Sequence, residues 1–253
     1  MDMLAVERLT KSFGGLIAVS DVSFEVPERR VTALIGPNGA GKTTLFNTIS
    51  GIFAPDRGRV RFDGVDITGW SPHRITALGL GRTFQNVQLF QNLNTLENVA
   101  AARYCRTGSG LVDALLWRKR DRADRREMFG RAAELLDSVG LGDKRLLMPG
   151  ELPYGDQRRL EIARALATEP TLLILDEPTA GMVAREAEEV VGLMRRLCAS
   201  GVTLMLIEHN MNVVMSVSDK VVVLNFGRKI AEGTPAEIER NPDVIEAYLG
   251  RDE

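Results

Sequence analysis

The chain has 253 residues, enough for one large domain or two small ones, and its 44% hydrophobic and 26% charged residues are ordinary for a globular protein. A formal net charge of −2 lacks the basic excess of nucleic-acid scaffolds, so we expect no nucleic-acid partner. No apolar run approaches the roughly 20 residues that span a bilayer and no signal-peptide pattern opens the chain, which predicts a protein that is soluble or held at a membrane by a partner.

The first part of the chain predicts antiparallel strands. Apolar and polar residues alternate over residues 22–26 and again over residues 59–63, which is typical of strands with one buried face. Ahead of them stands Phe13, followed by two glycines. Because an aromatic face attracts any purine, Phe13 is a candidate to stack on a nucleobase, with ordinary core burial as the alternative.

A phosphate-binding loop follows the next predicted strand. Residues 31–35 are apolar and β-branched, as in a buried strand, and residues 42–50 predict a helix that ends before Gly51. The loop between them fits G-x-x-x-x-G-K-T, in which glycines let consecutive N–H groups surround a polyphosphate at a helix N-terminus. Lys42 is predicted to reach the outer phosphates and Thr43 to ligate Mg²⁺. The predicted nucleotide-binding residues of the loop are Gly36, Pro37, Asn38, Gly39, Ala40, Gly41, Lys42, Thr43 and Thr44.

Gln85 lies where the predicted core gives way to a long stretch without strands. A neutral amide there could reach Mg²⁺ and an attacking water, or report their presence to a neighbouring subdomain. The stretch itself, residues 96–150, predicts two or three helices that are broken at residues 107–110 and 140–142. We interpret it as an all-helical subdomain inserted into the core.

Two further features predict no chemistry of their own. Residues 118–126 interleave basic with acidic side chains, which favours a solvated helix face over a contact with anionic lipid or a partner. Cys105 and Cys198 are far apart and lack the spacing of metal ligands, so we expect reduced thiols in a cytosolic protein.

A second element of the phosphate site is predicted at residues 172–178, where four apolar residues run into Asp176, Glu177 and a proline. Carboxylates at the C-terminal edge of a buried parallel strand lie where α/β proteins bind their ligands. Asp176 is predicted to hold Mg²⁺, directly or through water. Glu177 is the candidate to orient or deprotonate an attacking water.

His209 follows another apolar run, residues 204–207, and can contact a terminal phosphate while holding water and base in register. A purely structural hydrogen bond is the alternative. This run and the similar one at residues 221–224 suit central strands that are covered on both faces, and residues 184–199 predict one of the covering helices. The fold class that follows is α/β.

Taken in chain order, these motifs resemble the ATPase subunits of ATP-binding-cassette (ABC) transporters, and the match covers essentially the whole chain. Residues 152–157 read L-P-Y-G-D-Q and stand where that family carries its L-S-G-G-Q signature. The resemblance implies a P-loop NTPase (RecA-like) core with an N-terminal antiparallel β subdomain and an inserted all-helical subdomain. We expect one ABC ATPase domain, with the core and β subdomain in residues 1–94 and 156–253 and the helical signature subdomain in residues 95–155.

The resemblance also implies how the ATPase works. In the family, the signature contacts the ATP held by the P-loop of a second cassette, which implies nucleotide contacts from Leu152 and Gly155. Catalytic roles are implied for Glu177, which activates water, for His209 and Lys42 on the phosphates, and for Gln85 at the metal. The implied partners are ATP, Mg²⁺, a second ABC ATPase, membrane permease subunits on the cytoplasmic face of the inner membrane and, indirectly, a substrate-binding protein.

A finer resemblance points to the LivG-type ATPase of branched-chain amino acid importers. It is carried by residues 82–87, 152–166 and 241–250. It implies uptake of amino acids, with branched-chain ones first, while other amino acids, amides and urea stay open. Whether the cassette pairs with itself or with a sister ATPase also stays open, and residues 87–93 are the expected contact with the permease.

Three positions depart from the family pattern. Pro153 replaces the signature serine, and its hydroxyl donor to the γ-phosphate is lost. Asp156 replaces a glutamine and either adds negative charge near that phosphate or caps the following helix. Val183 stands where the family has Asp or Asn, which removes a polar contact across the dimer. These changes concern the contact with the second cassette and leave ATP binding by the loop intact.

Three rival interpretations remain from the sequence. A P-loop kinase for a small molecule has no use for residues 152–157. A soluble ABC protein of DNA repair or translation usually carries two cassettes or a coiled-coil insert. A regulatory subunit with a slow site of its own is distinguished only by its turnover with and without a partner ATPase.

Overall fold

A computed structural model describes residues 2–85, 87–103 and 119–249 of the chain. Cys105, the predicted helix break at residues 107–110 and part of the charged segment 118–126 lie outside the residues whose side chains it describes. The strands are β1 Asp2–Phe13, β2 Leu16–Pro27, β3 Val31–Ile35, β4 Arg57–Phe62, β5 Val65–Asp66, β6 Leu80–Arg82, β7 Leu172–Asp176, β8 Thr203–Ile207, β9 Lys220–Asn225 and β10 Arg228–Gly233. The helices are α1 Lys42–Ile49, α2 Pro72–Leu78, α3 Thr95–Ala102, α4 Lys119–Ser138, α5 Tyr154–Leu166, α6 Ala184–Ala199, α7 Met211–Val217, α8 Pro235–Glu239 and α9 Pro242–Leu249.

These strands form two sheets. The main sheet has six strands in the order β10-β9-β3-β8-β7-β6, in which the five from β9 to β6 run parallel and β10 pairs antiparallel with β9. The second sheet has four antiparallel strands in the order β2-β1-β4-β5. The predicted α/β core with an antiparallel β subdomain is therefore confirmed.

The two faces of the main sheet bury different partners, because alternate residues of a strand point to opposite sides. On β3, Ala33 and Ile35 pack with the apolar residues of α3, α4, α5 and α6. Leu34, between them, packs with α1 and the four-stranded sheet. The continuously apolar strands β3, β7 and β8 are buried at every position, as their sequences predict.

A helical block separates β6 from β7 in the chain. It contains α3 and α4, then short 3₁₀ turns at Gly142–Lys144 and Pro149–Glu151. The predicted break at residues 140–142 is confirmed as a turn after α4. The boundaries predicted for the subdomains stay predictions. Among the described residues, no helix combines the length and the apolar character needed to cross a bilayer.

Candidate functional site

All the predicted phosphate-site residues follow strands of the main sheet at the same edge. The loop of residues 36–41 follows β3, Asp176 ends β7, His209 comes just after β8, and Gln85 comes just after β6. Because these strands are parallel and β3, β8, β7 and β6 are successive neighbours, their carboxyl ends lie side by side. The site is thus assembled by the sheet order from segments far apart in sequence.

The geometry of the loop at residues 36–41 requires glycine at two positions. Gly36 has φ 151°, and a Cβ added there would overlap the carbonyl oxygen of Leu224 on β9. Gly41 has φ 96° and stands at the N-cap of α1, where a Cβ would overlap the carbonyl oxygen of Ala18 on β2. Because α1 begins directly after Gly41, its N-terminal turn presents its N–H groups and its positive dipole end beside the loop.

Lys42, the first residue of α1, lies across the loop. Its Nζ donates hydrogen bonds to the carbonyl oxygens of Gly36 at 2.6 Å and of Pro37 at 3.0 Å. Burial lowers the pKa of Lys42, while the nearby carboxylates of Glu177 and Asp176 oppose that shift. The amine is therefore a positive charge held between the loop and the end of β7, and the neighbouring Thr43 is exposed.

Asp176 is a buried carboxyl group, 3% exposed, at the last position of β7. Burial raises its pKa to about 6, against the opposing charge of Arg82, while the adjacent Glu177 adds to the rise. Its backbone N–H donates to the Thr83 hydroxyl at 3.1 Å, which ties the end of β7 to the segment after β6. A buried carboxylate with a raised pKa favours a nearby cation.

Glu177 has a strained backbone. Its φ of 47° is in the left-handed region, which is unfavourable for a residue other than glycine by about 1 kcal/mol or more. The conformation is held by a hydrogen bond of 2.8 Å from its N–H to the carbonyl of Ile207 on β8. Its Oε1 lies 3.6 Å from Nδ1 of His209, so the two residues predicted to act on the terminal phosphate are adjacent.

Gln85 is exposed, and its backbone is fastened to the helix that begins at the signature segment. Arg158 on α5 donates to the carbonyl oxygens of Phe84 at 3.0 Å and of Gln85 at 2.5 Å. Glu161, one turn later, accepts from the N–H of Phe84 at 3.0 Å. We call Arg158 and Glu161 the α5 clamp. Both are nearly fully buried, so the clamp couples α5 rigidly to the segment after β6.

The signature segment starts α5 as the resemblance implies, with Pro153 at the N-cap. The side chain of Leu152 is buried in the core, so a nucleotide contact from this residue would come from its backbone. Tyr154 is 45% exposed. The small size of Gly155 leaves room for the carboxylate of Glu186, which lies 3.1 Å from the position of a Cβ.

Asp156 does not cap α5, so the capping interpretation made from the sequence is wrong, and the interpretation as added negative charge near the phosphate stays a prediction. It lies in the first turn of the helix rather than at the N-cap. Its buried carboxylate pairs with Nζ of Lys144 at 2.5 Å and with the guanidinium of Arg159. Two cations therefore balance its charge. Val183 is the N-cap of α6 and is 65% exposed.

Phe13 is half exposed at the end of β1, where the hairpin to β2 turns. Its ring packs edge-to-face against Phe53 with centroids 5.1 Å apart, and Nζ of Lys11 lies 5.4 Å from its centroid. Ala18 on the same hairpin touches the loop at Gly41. The hairpin therefore adjoins the phosphate loop, and an aromatic ring on it remains 43% exposed.

Several residues that build this site were missed by the sequence analysis. Hydrogen bonds between segments that are distant in sequence involve Thr83, Arg158 and the pair Thr179 and Glu208. Thr83 and Arg158 fall within residues 82–87 and 152–166, and Glu208 is next to His209, but no role was predicted for any of them. Their partners depend on the packing of β6, β7 and α5, which no local pattern reveals.

The chain is similar to ATP-binding cassettes over its full length. The model of the ABC transporter family matches residues 19–180, and one described as branched-chain amino acid ATP-binding cassette transporter matches residues 228–253. The high-affinity branched-chain amino acid transport ATP-binding protein BraF of Pseudomonas aeruginosa is 45% identical over 98% of each chain. The corresponding protein LivG of Escherichia coli K12 is 42% identical over 98% of each. A crystal structure of a nucleotide-free ATP-binding cassette from an ABC transporter has a TM-score of 0.87 at 33% identity and covers 99% of this chain and 100% of its own.

Proposed function

The chain belongs to the ABC transporter family as one of its ATPases, and on that premise we propose that it drives an importer of branched-chain amino acids. The resemblance found in the sequence is confirmed at the level of the family. The observation that carries the proposal is the convergence of Lys42, Asp176, Glu177 and His209 at one edge of the main sheet. The cargo rests on the relatives and on the family model that matches residues 228–253.

ATP occupies the loop of residues 36–44, where the N–H groups of the loop and of the first turn of α1 surround its phosphates. Lys42 neutralises the β- and γ-phosphates. Phe13 stacks on the base, using the part of its ring that Phe53 leaves exposed. Leu152, through its backbone, and Gly155 contact the nucleotide of a second cassette.

The oxygen ligands at this edge fit Mg²⁺. The hydroxyl of Thr43, the carboxylate of Asp176 and the amide of Gln85 are the hard donors that this ion prefers. The raised pKa of Asp176 supports the assignment, since a buried carboxylate is stabilised in its charged form by a divalent cation. When bound, the ion would neutralise charge on the phosphates during hydrolysis.

Hydrolysis uses the adjacent pair after β7 and β8. Glu177 orients and deprotonates the attacking water, and His209 positions the γ-phosphate. The separation of 3.6 Å between Oε1 of Glu177 and Nδ1 of His209 supports this division of roles, because both side chains then face one reacting group. Gln85 reports the occupied site to α5 through the α5 clamp.

The second cassette and the permease bind different surfaces. Asn38, Tyr154 and Val183 are exposed, and they belong to the three segments that the family turns toward its partner cassette. The permease contacts residues 87–93, where Phe90 is half exposed and its ring lies 4.7 Å from the guanidinium of Arg164 on α5. These partners hold the ATPase at the cytoplasmic face of the inner membrane and, indirectly, link it to a substrate-binding protein.

Glu177→Gln tests the assignment of the hydrolytic base. The variant should bind ATP as the wild type does and form a long-lived pair with its partner, while phosphate release falls by at least about 100-fold. Phosphate release is measured without any acceptor molecule, which also distinguishes an ATPase from a small-molecule kinase. Full turnover in the variant would remove Glu177 from its role. Co-purification from membranes with permease subunits tests the place in an importer.

A further inference from the structure

A second glutamate beside His209 is fully buried. Glu208 is 0% exposed, although it comes directly after β8 at the edge where the site lies. Its carboxylate accepts hydrogen bonds from the N–H groups of His209 at 2.9 Å and Asn210 at 3.0 Å. It also accepts from the hydroxyl of Thr179 and from the Thr179 N–H at 3.4 Å.

These four donors belong to two different loops. His209 and Asn210 start the segment after β8, whereas Thr179 lies two residues beyond Glu177 in the segment after β7. A buried carboxylate is tolerated when such donors surround it, and removing one donor leaves the carboxylate poorly satisfied. Glu208 therefore fastens the segment that carries the base to the segment that carries the histidine.

From this geometry we infer that Glu208 is a positioning residue for ATP hydrolysis, acting on Glu177 and His209 through the two loops. The inference rests on the proposed function of those residues. Glu177 needs such support because its left-handed backbone is unfavourable by itself. The N–H of Glu177 donates to the carbonyl oxygen of Ile207. Two residues later, the hydrogen bonds from Thr179 to Glu208 hold the segment after β7 a second time.

The Thr179–Glu208 bridge makes no hydrogen bond to the proposed ATP-binding loop among the described residues. That loop, residues 36–44, connects β3 to α1 and includes the first residues of the helix. Loosening the bridge should therefore lower kcat while the affinity for ATP is kept. A merely structural role would instead lower stability and change both constants together.

Thr179→Val and Glu208→Ala test the inference with Thr203→Val as the control. Thr203 is fully buried at the opposite end of β8, where its hydroxyl accepts from the N–H of Arg29 at 2.9 Å. The control therefore makes the same chemical change as Thr179→Val in a buried place remote from the site. We expect Thr179→Val and Glu208→Ala each to lower kcat by at least about 10-fold with KM for ATP within about 2-fold. Thr203→Val should keep kcat within about 2-fold of the wild-type value while losing about as much stability as Thr179→Val.

Glu208→Gln supplies the conservative rescue. Its amide oxygen can accept from His209 and Asn210, while its NH₂ group donates to the Thr179 hydroxyl, which can turn to accept. Most of the activity lost in Glu208→Ala should return in Glu208→Gln, and the rescue should vanish in Thr179→Val/Glu208→Gln because valine offers no acceptor.

Two outcomes would overturn the inference: a kcat of Thr179→Val equal to that of Thr203→Val, or a Glu208→Gln rescue that survives when Thr179 is valine. A Glu208→Ala variant that fails to fold leaves the first comparison intact, because that comparison does not involve it, and the second is then made between the kcat values of Glu208→Gln and Thr179→Val/Glu208→Gln. The wild type is measured first, alone and together with its partner ATPase. If it releases no phosphate in either case, the proposed function fails, whereas an active wild type with unaffected variants refutes only the role of Glu208.

Discussion

Asp176→Asn should stabilise the protein in the absence of nucleotide and Mg²⁺ at alkaline pH. The folded protein raises the pKa of this carboxyl group to about 6 from an ordinary 3.8. Between these values the folded state binds more protons than the unfolded state, so the free energy of unfolding falls as pH rises. The asparagine is uncharged at every pH and lacks this penalty.

The size of the effect follows from the two pKa values. The penalty of the ionised carboxylate reaches about 3 kcal/mol at pH 8 but only about 1.6 kcal/mol at pH 5, where much of the folded protein is protonated. The advantage of Asp176→Asn over the wild type should therefore grow by about 1.4 kcal/mol between these pH values. Urea unfolding of both proteins at each pH measures it.

Asp56→Asn is the matched control, because folding lowers the pKa of Asp56 whereas it raises that of Asp176. Hydrogen bonds from Ser12 and Lys11 lower the pKa of Asp56 to about 2, so its ionised form stabilises the folded state. Its loss should lower stability by nearly the same amount at pH 5 and pH 8, since both lie above the ordinary value. An Asp176→Asn variant that is less stable than the wild type at pH 8, or whose advantage does not change with pH, would refute the reasoning. Added ATP and Mg²⁺ should reverse the ranking, because the variant lacks a proposed metal ligand.

Two further predictions concern the loop and the signature helix. Gly36→Ala should lower the free energy of unfolding by at least about 2 kcal/mol, because its Cβ would overlap the carbonyl oxygen of Leu224. Gly39 has φ 80° and open space around it among the described residues, so Gly39→Ala should lower the free energy of unfolding by about 1 kcal/mol. Equal losses in urea unfolding would contradict this account. Asp156→Ala should lose about 1–3 kcal/mol by leaving two cations without their buried partner, and Asp137→Ala, from an exposed ion pair, less than about 1 kcal/mol. The melting temperatures of the two variants test this, and a larger loss of stability for Asp137→Ala than for Asp156→Ala would contradict the ion pairing of Asp156.

Three of the four strands that line the site could be predicted, because a strand buried on both faces is apolar at every position. β3, β7 and β8 are continuously apolar, and each ends in a motif that carries its own chemistry. The loop after β3 is recognisable because a phosphate cradle requires glycines and a lysine at fixed spacing. The order of these motifs, together with the resemblance, predicted the architecture that the structure shows.

Four strands were not predicted from the sequence, for physical reasons, and one of them, β5, has only two residues. In β1, a bulge at Arg8, with φ 45°, shifts the buried positions from Leu4 and Val6 to Leu9, so the alternation is lost. β6 has three residues, and β10 is an edge strand that is only partly buried. The ion pair of Asp156 with Lys144 could not be predicted either, because the two residues are brought together only by the turn of the chain between them.

The α5 clamp determines how movement of α5 is passed to the segment after β6. Phe84 and Gln85 are held by their backbone atoms, which every amino acid possesses, so their attachment to Arg158 and Glu161 survives replacement of either side chain. Helix α5 therefore begins at the signature segment and is hydrogen-bonded to the segment after β6. Any tilt of the helix carries residues 84 and 85 with it as one body.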